Sequence, residues 1–546
     1  MTHQFGQQIL LRSLLTGLLM LVVHGCGGGD SSDDDSAVAV ETQVELRSGS
    51  VVGNLPDSSG IRSFKGIPYA APPVESLRWK EPQPAAAWTG VRDATQFGNR
   101  CWASSSSGPI QTNGVSEDCL NLNVWTGAAK RGDKQPVMVW IHGGGFQNGT
   151  SADPLYDGGV LARKGVVVVS INYRLGVLGF LSRPELDAES NGHKSGMYGL
   201  LDQLAALRWV HDNVAAFGGD PNNVTVFGES AGSHAIGLLM ASPLSKGLFH
   251  KAIGSSGAFW ETSSGPMMSH GDAQNMGLAL SVKVNAPTLA DLRATPALQL
   301  QTATNWTLAT NPGETNFGPT VDGHVLPDDP YVLFMRGQQT DVPLMVGWNN
   351  DEGMFFMGWS LPHDSARAFT DAAATVFGSN NLADFLQQYP AGTDAQAAQS
   401  AQSLQGDANI KYQTWGWANL QRQTGKSPVY VYNFSYLSSY SPLATHGSDL
   451  WFVFGAPVDL QFFYPGSPSN ADKAMSDIVQ SYWTNFARNG DPNAAGLSQW
   501  PRYAGPGSDA MHLGNAVQAG PEEGTSRFQF LDRFRIGGIL TLAFDH

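Results

Sequence analysis

Two kinds of apolar pattern alternate along this chain. Val137-Met138-Val139-Trp140-Ile141 and Val166-Val167-Val168-Val169-Ser170-Ile171 are nearly unbroken apolar runs, and they predict strands buried on both faces. Across residues 198–217, Leu200, Leu204, Leu207, Val210 and Val214 recur every three to four positions. That spacing predicts a helix, and Gly218-Gly219-Asp220-Pro221 stops it. A second strand–helix unit follows in Val224-Thr225-Val226-Phe227 and the small-residue stretch 233–240. Further strands are expected at Lys251-Ala252-Ile253, Leu344-Met345-Val346-Gly347 and Val429-Tyr430-Val431-Tyr432. A late helix is expected near 474–488, with Ile478, Val479, Tyr482 and Phe486 inward. Strands alternating with helices predict an α/β fold, a mainly parallel central sheet with helices on both faces. Residues 262–318 and 357–427 carry no strand pattern and are expected as helical cap insertions over the active site. No linker or internal repeat interrupts the chain beyond residue 43, so residues 44–546 are expected to form one domain.

The N-terminus is a different kind of sequence. Arg12 precedes an apolar run over residues 14–23, too short to span a bilayer comfortably, and small residues follow it. Val22-Val23-His24-Gly25-Cys26-Gly27 resembles a bacterial lipoprotein signal, although His24 stands where a small residue is usual. Residues 1–25 are therefore expected to be a signal segment, with Cys26 lipidated, and residues 26–43 an acidic, flexible tether. An ordinary secretory signal cleaved nearby is the alternative. Either way the protein is expected to be exported, to the periplasm or the outer surface of the membrane, or secreted. Cys26 aside, only Cys101 and Cys119 remain. In an exported chain a disulfide closing that short loop is the natural expectation, for roughly 3 kcal/mol of stabilisation, and two free buried thiols are the alternative.

Composition narrows the function classes. The chain has 546 residues with a formal charge of −15, which excludes the basic face that nucleic-acid binding needs. Charged residues make up only 14%, with 63 Gly and 31 Pro, as in a loop-rich enzyme more than a helical repeat. His193, His211, His234, His250 and His270 lack ligand spacing. No metal or cofactor is implied.

The chemistry is concentrated at Gly228-Glu229-Ser230-Ala231-Gly232, set between the strand ending at Phe227 and the helix that follows. A strand turning sharply into a helix around G-x-S-x-G is the nucleophile elbow of the α/β-hydrolases. The turn leaves room only for glycine two positions either side of the serine, and it lifts the hydroxyl above the sheet at the helix's positive end. A serine needs a histidine base, and the histidine a carboxylate to hold its tautomer. In this fold the acid follows the serine and the histidine follows the acid. Asn349-Asn350-Asp351-Glu352-Gly353 offers two acids at a strand end, Asp351 and Glu352, which position alone does not separate. His446, in Ala444-Thr445-His446-Gly447-Ser448-Asp449, is the histidine placed after them, whereas His324 lies upstream. His142-Gly143-Gly144-Gly145-Phe146 follows the strand ending at Ile141 and matches the glycine-rich loop that donates backbone amides to an oxyanion. Gly144, Gly145 and Ala231 are the expected donors.

Taken with Ser116-Glu117-Asp118-Cys119-Leu120-Asn121-Leu122-Asn123-Val124-Trp125, Asn172-Tyr173-Arg174-Leu175-Gly176 and Phe217-Gly218-Gly219-Asp220-Pro221, these motifs resemble the type-B carboxylesterase/cholinesterase family over residues 49–534. The resemblance implies that Glu352 is the acid and His446 the base, that Cys101 pairs with Cys119, and that Ser256 supports the acid. Glu229, beside the nucleophile, is placed with it as a supporting residue. The short loop between the cysteines lacks the choline-binding tryptophan pattern, and Trp102 sits wrongly for that role, which argues against choline esters. The expectation is a serine carboxylesterase acting on small or aromatic esters through an acyl-enzyme. Amide, carbamate or polyester cleavage by the same triad is the alternative, and a non-catalytic binding protein the remote one.

Overall fold

The computed structural model describes residues 42–103, 114–190, 194–258, 267–304, 317–354, 361–439, 441–455 and 468–535. The signal segment, Cys26 and His193 lie outside them. The strands are β1 (Gln43–Leu46), β2 (Gly49–Val52), β3 (Arg62–Pro68), β4 (Val91–Asp93), β5 (Asn121–Thr126), β6 (Gln135–Ile141), β7 (Val167–Ile171), β8 (Gly219–Glu229), β9 (Lys251–Ser255), β10 (Leu344–Asn349), β11 (Val429–Phe434), β12 (Asp509–Leu513) and β13 (Val517–Pro521). Ten of them form one sheet in the order β13-β12-β11-β10-β9-β8-β6-β7-β5-β3, and β1, β2 and β4 form a small second sheet. The centre, from β7 through β6 and β8 to β12, is parallel; β3, β5 and β13 run antiparallel to their neighbours.

Apolar runs make this sheet because both of its faces are covered. In β6, Val137, Val139 and Ile141 join one apolar core while Met138 and Trp140 join a second. In β7, Val167, Val169 and Ile171 face the first core and Val168 the second. Successive side chains of a strand point to opposite faces, so a mostly apolar strand suits both layers. Each such aliphatic side chain, fully buried, contributes about 1.5–3 kcal/mol.

The helices of the sequence pattern are present at Tyr198–Asn213, continued by a 3₁₀ turn Val214–Phe217, at Ala231–Ala241, and at Asn470–Asn489. One boundary differs. Gly218 adopts φ 81° and ends the helical stretch, but β8 begins at the next residue instead of at Val224. Gly219 pairs with Gln135 and Val224 with Val137, so the register slips between them. The four residues Asp220-Pro221-Asn222-Asn223 are an irregularity within a strand.

Both insertions are helical among the described residues. The first holds His270–Lys283, Leu289–Ala294 and Ala297–Ala303; the second holds Ala366–Phe377, Leu382–Gln388, Asp394–Gly406 and Tyr412–Thr424. Tyr412–Thr424 packs directly on β10 and β11, and Asp394–Gly406 against the turn Glu352–Met354. The chain's contacts gather residues 36–546 into one unit.

Candidate active site

β8 runs straight into the helix Ala231–Ala241, and the turn between them is a single residue. Ser230 sits at φ 54°, ψ −124°, a conformation that costs about 1–3 kcal/mol and persists only where the surroundings impose it. The surroundings do so. The Ser230 amide donates to the Ser255 carbonyl (2.9 Å), and the Ser230 carbonyl accepts from the His234 amide (2.9 Å). A Cβ on Gly228 would lie 2.7 Å from the Gly232 carbonyl carbon, and one on Gly232 would collide with the Ile141 carbonyl. These two glycines let the elbow helix rest on the end of β6.

The loop after β6 lies against Ser230. A Cβ on Gly143 would come within 3.1 Å of Ser230 Cβ and 2.7 Å of the Glu229 carbonyl. Gly144 (φ 105°), Gly145 (φ 62°) and Phe146 (φ 59°) turn the backbone through left-handed conformations, and the Gly144 carbonyl accepts from the amides of Gln147 (3.0 Å) and Asn148 (2.9 Å). His142, at the start of this loop, stacks on Tyr173 with ring centroids 4.4 Å apart, and the Tyr173 hydroxyl donates to the His142 carbonyl (2.8 Å). Burial lowers the His142 pKa to about 4, so the ring acts as a neutral prop.

β10 ends at Asn349, and Glu352 follows in a tight turn with its carboxylate fully buried. Oε1 accepts from Ser256 Oγ (2.6 Å) and the Asn349 amide (2.8 Å). Oε2 lies 2.6 Å from His446 Nδ1. Burial alone would raise the Glu352 pKa, but His446 and these hydrogen bonds override it and hold the carboxyl below its usual range. Asp351 points elsewhere: its amide donates to the Ala444 carbonyl (2.8 Å) and its Oδ2 accepts from the Ala444 amide (2.9 Å). The two acids that position left equivalent thus have different partners. One faces the histidine ring, and the other straps the acid loop to the histidine loop.

The other edge of His446 carries a second carboxylate. Nε2 lies 3.0 Å from Glu229 Oε1, and all three side chains of this row are less than a tenth exposed. Burial pushes the imidazole toward neutrality, yet the charges of Glu229 and Glu352 prevail and raise its pKa well above 6.5. His234, one turn along the elbow helix, is itself lowered to about 3 by burial and by His446.

Three residues with no individual sequence signal complete the network. Asn349 donates through Nδ2 to Ser256 Oγ (3.1 Å) and to Asp449 Oδ1 (3.0 Å). The Tyr432 hydroxyl donates to Asp449 Oδ2 (2.8 Å). Burial raises the Asp449 pKa to about 6, against the pull of Asn349 and Tyr432. Asp449 follows His446 by three residues, and that spacing was the one clue available for it.

The remaining expectations fall outside this cluster. Cys101 and Cys119 are disulfide-bonded, their Cα atoms 5.0 Å apart. Of the other histidines, His250 Nδ1 accepts from the Val224 amide (3.1 Å), His270 meets Asp187 (2.8 Å) and His211 meets Asp212 (3.1 Å).

Comparison with known proteins bears on the chemistry. The model of the carboxylesterase family matches residues 40–530. The fumonisin B1 esterase of Sphingopyxis macrogoltabida is 37% identical over 502 residues, which are 90% of this chain and 89% of that protein. The para-nitrobenzyl esterase of Bacillus subtilis is 36% identical over 471 residues, 84% of this chain and 92% of that one. The human cocaine esterase is 34% identical over 536 residues, 90% of each.

Proposed function

The chain belongs to the carboxylesterase family of α/β-hydrolases and is a carboxylic ester hydrolase, and from that premise we propose that Ser230, His446 and Glu352 carry the reaction through an acyl-enzyme. The observation that carries this reading is the row Glu352–His446–Glu229, whose last member is the residue preceding the elbow serine. Ser230 Oγ attacks the ester carbonyl while its proton passes to His446 Nε2. The tetrahedral oxyanion rests on the amides of Gly144, Gly145 and Ala231. The C–O bond then breaks, His446 returns the proton to the leaving alcohol, and Ser230 is left acylated. Water, deprotonated by the same Nε2, repeats the sequence and releases the acid. Glu352 keeps the proton on Nδ1, so that Nε2 presents its lone pair.

The proposed substrates are small or aromatic carboxylic esters. Relatives named for fumonisin B1, para-nitrobenzyl esters and cocaine support an ester bond and differ widely around it, because pocket and cap set specificity while the triad does not. Purified protein should hydrolyse p-nitrophenyl esters and aryl diesters faster than matched anilides and carbamates. Ser230→Ala should lower turnover by about 10⁴-fold or more, and Glu352→Gln severely, with Asp351→Asn milder. A Ser230→Ala protein that keeps a tenth of wild-type turnover would end the assignment. Anilides preferred over esters would move it to amide cleavage.

A further inference from the structure

The acid of the triad sits on a loop, and a loop holds a carboxylate in place only if something grips its backbone. From the front the grip is plain: Asn350 donates its amide to the Phe434 carbonyl (2.8 Å), and Asp351 straps to Ala444. From behind, the contact comes from the second insertion. The helix Asp394–Gly406 does not end where Tyr412–Thr424 begins; the two are joined by a π-helical turn, Asp407–Lys411. Such turns are rare and recur at functional positions. Here the turn lies where the helix meets the acid loop. A Cβ on Gly353 would collide with the Gln402 carbonyl, and one on Gly406 would lie 2.6 Å from the Gly353 amide and 3.2 Å from Glu352 Cβ. Two facing glycines bring the backbones into contact, and Lys411 can then reach across.

Lys411 Nζ donates to the Asn350 carbonyl at 2.7 Å, two residues before Glu352, and the lysine is only 7% exposed. Its ammonium lies 3.7 Å from Asp407 Oδ1, an oxygen with no hydrogen-bond partner among the described residues. Asp407 is in turn held through Oδ2 by Arg527 (2.6 Å) and the Tyr389 hydroxyl (3.0 Å). A nearly buried lysine, with Asp407 as its counter-charge and its hydrogen bond spent on a loop carbonyl, is a costly arrangement for packing alone. We propose that Lys411 is a positioning residue for the triad acid: through Asn350 it fixes the turn that aims Glu352 at His446.

This rests on the triad reading above, and the two can fail separately. Wild type and Lys411→Met would be compared by kcat and KM per active site, titrated with a fluorophosphonate, and by the pH profile of kcat/KM, with Ser230→Ala assayed per mole of protein. Lys411→Gln, which ends a methylene short of the lysine, replaces the Met variant if that one does not fold. The expected result is a kcat about tenfold lower, as for a misplaced catalytic group, with KM unchanged within about twofold. The acid limb of kcat/KM should also move to lower pH, because a looser Glu352–His446 bond stabilises the imidazolium less. Loss of the lysine charge alone would move that limb the opposite way. Among the described residues Glu229 and Glu352 flank His446 and His234 on the elbow helix interacts with it, and the substitution leaves all three in place. An unchanged kcat with only a lower Tm, or a limb displaced upward, would overturn the proposal. Activity retained by Ser230→Ala would remove the triad itself, and this inference with it.

Discussion

At His446 three effects compete within one ring. Burial favours the neutral imidazole, and the carboxylates of Glu229 and Glu352, at 3.0 and 2.6 Å, favour the imidazolium and prevail. In the proposed mechanism catalysis uses the neutral ring, so the rate should fall as pH drops through a raised pKa. The acid limb of kcat/KM is therefore expected above pH 6.5, higher than the unperturbed side chain would place it. The stability contribution has the opposite sense: it is fully present below the unfolded value and lost as pH rises through the folded one. Glu229→Gln removes one of the two charges, so it should shift the limb to lower pH, measured on a neutral ester with chemistry rate-limiting. A limb that stays in place would show that Glu229 does not face the working base. The residues legible in the sequence here were those with a local backbone demand, the elbow glycines and the glycine-rich loop, or a place in the chain order. Asn349, Asp449 and Lys411 were illegible because the contacts that tie them to the acid loop, Asn349 to Asp449 and Lys411 to Asn350, join residues 100 and 61 positions apart, and each is an ordinary polar residue in its own neighbourhood.

The elements divide along the same line. β6, β7, β9, β10 and β11 announce themselves because each carries an apolar run, with polar residues such as Ser170 and Asn433 only at or next to its ends. β5 does not, since Asn121 and Asn123 interrupt its pattern. Asn123 is nonetheless fully buried and donates to Ser151 Oγ (3.1 Å) and Ser170 Oγ (3.0 Å). A polar residue satisfied inside the fold looks like a surface residue in a sequence. The edge strand β13 has no buried position, so no apolar run marks it. The joint between β8 and the elbow helix is the element-level feature with the sharpest expectation. Gly232→Ala would drive a methyl into the Ile141 carbonyl, an overpacking that costs about 1–3 kcal/mol and pushes Ser230 off its seat beside Gly143. A fall in Tm together with a loss of about 10²-fold in kcat is expected. Wild-type values for both would mean that the helix can slide without consequence.

For the molecule as a whole, the sequence predicted a parallel α/β core carrying two strandless insertions, and the structure has that core. What it did not predict was the use made of the second insertion. Tyr412–Thr424 is part of the layer over β10 and β11, and its neighbour backs the acid loop. Helical periodicity shows that a segment is a helix and not which surface it meets. The fold therefore assembles its reactive row from distant stretches: the elbow at 228–232, the loop at 142–146, the acid loop at 349–353 and the histidine at 446, with the 406–411 turn behind. That convergence is the central claim, and covalent trapping tests it most directly. Protein treated with a fluorophosphonate, or stopped during the burst of a slowly deacylating p-nitrophenyl ester, would be digested and its adduct located by mass spectrometry. One adduct per chain on the peptide containing Ser230, absent from Ser230→Ala, is the result this account predicts. Turnover without any adduct, or an adduct on a different residue, would contradict it.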